Sequence, residues 1–178
     1  VSNMILFRAR SKELAFQVEV DETIPDTLNG DEVRVRQIMT NILTNAVKYT
    51  PKGSVMITAD YENTLDGYID LHIAVKDTGI GIKEEDMSKL FSPFEKIEND
   101  NRSRIEGTGL GMTVVKSFVD LLGGKISFTS KKDVGTTFIV DLPFKLQKGT
   151  KQYYDPFTQQ ILTEDNEENQ IEEKAFKR

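Results

Sequence analysis

A chain of 178 residues is long enough for one domain of ordinary size plus a tail and too short for two well-buried cores. Hydrophobic residues at 38% and charged residues at 29% describe a globular composition, with no apolar run near the about 18 residues that a membrane helix needs. The net charge of -6 argues against a nucleic-acid surface, which draws on clustered Lys and Arg, and the absence of cysteine excludes disulfides and thiolate metal sites.

Residues 3–14 read as the end of a helix. The run AFQVEV from Ala15 to Val20 alternates apolar and polar positions, as a strand with one buried face does. Pro25 and the Asn29-Gly30-Asp31 cluster then break the chain and supply a cap. A long helix follows, because apolar residues between Val33 and Tyr49 fall at 35, 38, 39, 42, 43 and 46, one core-facing stripe. Pro51 and Gly53 stop it. Strands are expected at 54–61 and 68–77, joined as an antiparallel hairpin by the polar turn from Glu62 to Gly67. The interval 78–107 reads mostly as loop, with a short helix near 84–90. A second long helix fits 109–122, with Leu110, Val114, Val115, Phe118, Val119 and Leu122 on one face and Gly123-Gly124 closing it. Strands at 125–130 and 136–142 complete an α+β arrangement, a two-layer sandwich whose mixed, mostly antiparallel sheet is covered on one face by helices. From 147 the chain is polar, rich in Gln, Glu, Asp and Lys, and reads as a tail or linker.

Four features carry chemistry. In the strand YIDLHIAVKD, Ile69, Leu71, Ile73 and Val75 share a face, and the period of two places Asp77 in the same buried row. A carboxylate there needs a partner. It either caps the next turn, as a strand-end acid does, or accepts from the exocyclic amine of a flat base such as adenine, which the glycines of Asp77-Thr78-Gly79-Ile80-Gly81-Ile82 would admit. Asn41, Asn45 and Lys48, spaced i, i+4 and i+7, form a stripe beside the apolar one. They are either solvated helix polars or, through the carboxamide oxygens, ligands for Mg²⁺ with a lysine beside it for phosphate. Gly107-Thr108-Gly109-Leu110-Gly111 runs into a helix start, where backbone N–H groups and the helix dipole favour an anion, though such a start alone is a weak signal. Thr136 shares the inward face of its strand with Phe138, Val140 and Leu142, so its hydroxyl needs a backbone group or a ligand.

Taken in order, these segments resemble the boxes of sensor histidine kinases. The stretch 31–50 around NILTNAVKYT resembles the N box, DTGIGI at 77–82 the G1 box, Leu90-Phe91-Ser92-Pro93-Phe94-Glu95 the F box, GTGLGM at 107–112 the G2 box, and Gly135-Thr136-Thr137-Phe138 the closing strand motif. The resemblance covers about residues 12–144 and implies the Bergerat, or GHKL, fold with ATP and Mg²⁺ as ligands. Carried onto this chain, it implies that Asn41 and Asn45 hold Mg²⁺, that Lys48 contacts phosphate, and that Tyr49 flanks the nucleotide. Asp77 would accept from the adenine amine in a pocket shaped by Gly79, Gly81 and Ile82, with Thr136 assisting beneath. Gly107, Thr108, Gly109, Leu110 and Gly111 would wrap the triphosphate. Residues 95–106 would be the ATP lid, with Phe91 and Phe94 either its hinges or, as the preferred reading, packing aromatics with a secondary effect on it, and Arg102 and Arg104 either reach the γ-phosphate or stay solvated.

Related gyrase-like and chaperone-like ATPases carry a glutamate one turn before the magnesium asparagine to activate water, and here that place is Asn41. An amide takes no proton at neutral pH, so hydrolysis is expected to be feeble. Asn41 and Lys48 would instead serve phosphoryl transfer to a histidine, whose neutral ring is a nucleophile without further activation. The only histidine, His72, sits on the polar face of its strand and is expected to be a surface residue rather than the phosphoacceptor. The acceptor would lie on a dimerisation domain of the same protein, absent from this chain, with a response regulator downstream. The expected division is therefore residues 1–12 as the end of a linker, 13–146 as the ATP-binding catalytic domain and 147–178 as tail or linker. The domain is expected to be cytoplasmic and monomeric, with no nucleic-acid or membrane contact of its own. The alternatives are a non-catalytic ATP-binding sensor module and an anti-sigma-type serine kinase.

Overall fold

The computed structural model describes residues 3–64, 67–93 and 110–146, together with two short strands at 153–154 and 161–162. Helix α1 (Asn3–Ser11) leads into β1 (Ala15–Val20), the dipeptide strand β2 (Leu28–Asn29) and the long helix α2 (Glu32–Tyr49). The hairpin β3 (Ser54–Asn63) and β4 (Tyr68–Asp77) follows, then α3 (Gly111–Leu121) and a second hairpin of β5 (Lys125–Lys131) and β6 (Gly135–Leu146). The six strands form one sheet in the order β1-β3-β4-β6-β2, with β5 also paired to β6. Only β1 and β3 run parallel. This is the expected two-layer α+β arrangement.

The alternation in the strands decides which face the helices cover. Ile69, Ile73 and Val75 of β4 and Phe138, Val140 and Leu142 of β6 are buried on one face, against Ile38, Ile42, Leu43, Ala46 and Val47 of α2 and Met112, Val115 and Val119 of α3. Side chains of this kind contribute about 1.5–3 kcal/mol each on full burial, so the shared core dominates the association of the two layers. Helix α2 begins where expected: the Asp31 carboxylate accepts from Arg34 N–H at 3.0 Å, and Glu32 sits in the first turn, favourable to the helix dipole.

Several boundaries move. The first helix ends at Ser11 rather than 14, because Glu13 adopts φ 56° and the Leu14 N–H reaches back to Ala9 C=O at 3.0 Å. Ile5, Ala9 and Leu14 belong to the common core, so α1 is packed into the same unit as the residues after 12. The short helix is a 3-10 helix, Glu84–Lys89, with no buried residue and hence no apolar stripe to hold α geometry. Leu110 precedes α3 as its cap instead of lying within it. Strand β6 continues four residues beyond 142, where Tyr68 and Ile69 on one side and β2 on the other extend the ladder. In the polar tail, Tyr153–Tyr154 pairs antiparallel with Ile161–Leu162 as a separate two-stranded sheet. Among the described residues no helix is long and apolar enough to cross a membrane.

Candidate functional site

Helix α2 presents Asn41, Asn45, Lys48 and Tyr49, all half-buried, beside its core stripe. Packing of α3 against α2 brings the start of α3 to this stripe: Asn41 Nδ2 donates to Gly111 C=O at 3.3 Å, across 70 residues of sequence. That bond orients the carboxamide, and its Oδ1 accepts from Gln37 Nε2 at 3.3 Å. The Lys48 ammonium lies 4.9 Å from the centre of the Tyr49 ring. Phe91 packs edge-on against Phe128 at 5.8 Å, and its carbonyl accepts from Thr113 Oγ1 at 3.2 Å, which ties the segment before 94 to α3.

Asp77 ends β4 facing inward, with 6% of its surface exposed. Its Oδ1 accepts from Gly79 N–H at 2.8 Å and from Thr136 N–H at 3.3 Å. The first bond is the turn cap expected of a strand-end acid; the second follows from the β4–β6 register, which sets Asp77 opposite Thr136. Burial pushes the Asp77 carboxyl above its ordinary value, against the pull of those two bonds. Among the described residues, Asp77 takes both bonds on Oδ1 and none on Oδ2.

A second row of polar groups supports the first. Ser130, inward on β5, accepts from Ile82 N–H at 2.9 Å and donates to Gly135 C=O at 3.1 Å, and its oxygen lies 2.8 Å from Thr136 Oγ1. With one hydroxyl proton on Ser130 directed at Gly135, Thr136 donates to Ser130 and turns its lone pairs elsewhere. The glycines work differently from the sequence reading. A Cβ at Gly79 would lie 2.4 Å from Tyr49 C=O, and one at Gly81, where φ is +64°, would lie 2.0 Å from Lys131 C=O. Protein backbone, rather than a ligand, fills the space that these two residues leave open. They let the 77–82 loop close onto α2 and the β5–β6 hairpin.

The structure thus gathers Asn41, Leu110 and Gly111 at one junction, and Asp77, Gly79, Ile82 and Thr136 at another, with Tyr49 bridging through the bond from Ile80 N–H to its carbonyl at 3.1 Å. Phe94, Arg102, Arg104, Gly107, Thr108 and Gly109, with the segment 95–106, lie outside the described residues. His72 sits on the opposite face of the sheet, its Nδ1 2.7 Å from Asp141 Oδ1, and that bond raises its pKa above the ordinary 6.5. Sequence reasoning missed Ser130, although its parity with Ile126 and Phe128 marks it as inward, and missed Thr50, which is fully buried with its hydroxyl on Ala46 C=O at 2.7 Å. Nor does the site coincide with a cleft of about 650 Å³ lined by Ile5, Leu28, Val35, Met39 and Phe144, which by helical phase lies on the other side of α2.

The family described as histidine kinase-, DNA gyrase B- and HSP90-like ATPases matches residues 30–146. The chain is 34% identical over 178 residues to the autoinducer 2 sensor kinase/phosphatase LuxQ of Vibrio parahaemolyticus, over 92% of this chain and 20% of that protein. It is 33% identical over 138 residues to the signal transduction histidine-protein kinase BarA of Escherichia coli K12, over 78% of this chain and 15% of that protein. The chain therefore spans a fifth or less of the length of these two curated relatives. Among solved structures it is similar to full-length ShkA in complex with AMPPNP, with TM-score 0.66 and 28% identity over 85% of this chain and 30% of that one. It is also similar to the nucleotide-free catalytic domain of the histidine kinase ThkA, with TM-score 0.60 and 27% identity over 79% of this chain and 86% of that one.

Proposed function

Given that the chain belongs to the family of histidine kinase-, DNA gyrase B- and HSP90-like ATPases, we propose that its Asp77 pocket takes the adenine of ATP for phosphoryl transfer to a histidine. The acceptor histidine would sit on a dimerisation domain elsewhere in the parent protein, and a response regulator would receive the phosphoryl group downstream. The observation that carries the reading is the inward Asp77, whose Oδ1 is committed to Gly79 and Thr136 while Oδ2 remains for the adenine amine. Thr136, held by Ser130, offers its lone pairs beneath the same ring. Lys48 and Tyr49, at the end of α2, meet the phosphates and flank the nucleotide. Gly107, Thr108, Gly109, Leu110 and Gly111 are assigned to the triphosphate, with Arg102 and Arg104 toward its γ end.

The carboxamides of Asn41 and Asn45 suit Mg²⁺, a hard cation that prefers oxygen ligands and retains water. Asn41 fits this role in orientation, because its amide nitrogen is engaged by Gly111 C=O in a part-buried bond, while its oxygen faces the exposed Gln37 amide, which solvent or a metal ion can replace. Mg²⁺, when bound, neutralises charge on the phosphates. The chain itself orients the triphosphate and, lacking a carboxylate at Asn41, supplies no base to activate water there. The nucleotide-binding unit in this reading includes α1, since Ile5 and Ala9 lie in its core.

The test is phosphotransfer in trans. The chain is mixed with a helical dimerisation fragment of the parent protein and radiolabelled Mg-ATP, and acid-labile phosphate should appear on the fragment. Acid-stable product would point to a serine kinase instead, and nucleotide binding without transfer to a sensor module.

A further inference from the structure

The last turn of α2 carries Lys48 and Tyr49, and every carbonyl from 46 to 50 has an identified donor. Thr50 Oγ1 takes Ala46 C=O at 2.7 Å, and Ile80 N–H takes Tyr49 C=O at 3.1 Å. The remaining three go to one side chain: the Lys12 ammonium donates to Val47 C=O at 2.7 Å, Lys48 C=O at 3.0 Å and Thr50 C=O at 3.4 Å. Three ammonium protons meet three carbonyls at the negative end of a helix dipole, a favourable place for a cation. The backbone at Lys12 is itself fixed by the end of α1. It closes α1, with Leu14 N–H on Ala9 C=O, Glu13 N–H on Arg10 C=O, Glu13 in the left-handed region and Leu14 buried, the pattern of a Schellman cap.

Tyr49 C=O lies between the carbonyls that Lys12 holds. It is both the acceptor for Ile80 N–H and the atom against which Gly79 packs. A displacement of this turn therefore moves the loop that carries Asp77. We propose that Lys12 is a positioning residue for the purine-binding loop, fixing it through the last turn of α2 and linking it to the placement of α1. The assignment rests on the nucleotide reading above, and Lys12 itself touches no ligand in it.

The experiment compares the wild-type 178-residue chain with Lys12→Met, Lys12→Arg and Phe144→Leu, a core change remote from the loop. Dissociation constants for ATP and for adenosine are measured by calorimetry at a temperature where every variant is folded, and amide exchange is followed at Gly79 and Ile80. Lys12→Met should weaken ATP and adenosine by the same factor, about tenfold, because three charge-assisted bonds to the supporting turn are lost. It should also speed exchange at both amides. Lys12→Arg should recover most of the loss, and Phe144→Leu should lower the melting temperature while leaving both affinities alone. Should Lys12→Met fail to fold, Lys12→Gln, which keeps donors without charge, is read by the same criteria. A Lys12→Met protein with wild-type affinities and a lowered melting temperature makes Lys12 a plain helix cap and overturns the proposal alone. A wild-type chain that binds neither ligand overturns the nucleotide reading as well.

Discussion

Replacing Asp77 with Asn separates binding from stability. The amide keeps a carbonyl oxygen in place of Oδ1, so the Gly79 and Thr136 N–H groups, at 2.8 and 3.3 Å, retain their acceptor. Oδ2 becomes an NH₂ group facing the adenine amine. The binding cost has two parts: a hydrogen bond to a charged group, about 1.5–3 kcal/mol, and the desolvation penalty of donors left facing one another, about 1–3 kcal/mol. Taken as about 3–5 kcal/mol together, this is a loss of ATP affinity between about a hundredfold and a few thousandfold.

Stability should move the other way. Burial raises the Asp77 carboxyl above its ordinary 3.8, so the contribution of this group to folding is fully present below that value and is lost as pH rises through the folded-state pKa. Above its folded-state pKa the wild type therefore holds an ionised group against burial, and Asp77→Asn removes that cost. Without nucleotide the variant should melt at or above the wild-type temperature at pH 7, and the gap should close in acid as Asp77 takes a proton. Calorimetry with ATP and thermal melts of the free protein between pH 4 and pH 7 decide it. An ATP affinity within about threefold of wild type would sink the adenine contact, given the energies assigned to it. A marked fall in the melting temperature at neutral pH would sink the burial argument.

Gly81→Ala should destabilise the fold by more than about 2 kcal/mol in urea titrations, because it combines a left-handed φ with a Cβ 2.0 Å from Lys131 C=O. Asn45→Ala should abolish the gain in ATP affinity on adding magnesium chloride while sparing metal-free binding, and a preserved gain would remove Asn45 from the metal site. Asp141→Asn should cost under about 1 kcal/mol, since the pair with His72 is partly exposed. That cost should be full below His72's ordinary 6.5 and vanish as pH rises through its raised folded value, because the partner stabilises the charged ring. The same variant should transfer phosphate normally.

What was legible in the sequence was whatever depends on a local period. The inward rows of β4 and β6 follow from a repeat of two, so Asp77 and Thr136 could be named before their register was known, and the 3.6 repeat of α2 separated Asn41, Asn45 and Lys48 from the core stripe in the same way. What stayed hidden was pairing at long range. Nothing near Ser130 announces that the β5–β6 register sets it opposite Thr136, and nothing near Lys12, within the stretch expected to be helical, announces that Val47, 35 residues away, is its acceptor. Strand β2 escaped because two residues carry no period, yet it completes the edge where β6 ends.

The glycines mark the boundary between the two kinds of inference. A glycine at 79 or 81 states that some atom must come closer than a Cβ permits, and the sequence reading supplied a ligand as that atom. The structure supplies Tyr49 C=O and Lys131 C=O. Those contacts make the 77–82 loop a wedge held between α2 and the β5–β6 hairpin, with Asp77 at its base tied to both the loop and β6. The carboxylate is therefore aimed by packing that precedes any ligand. In the proposal above, a carboxylate aimed in this way responds to whatever moves the end of α2, and the Lys12 ammonium is a described side chain that grips that end from outside it.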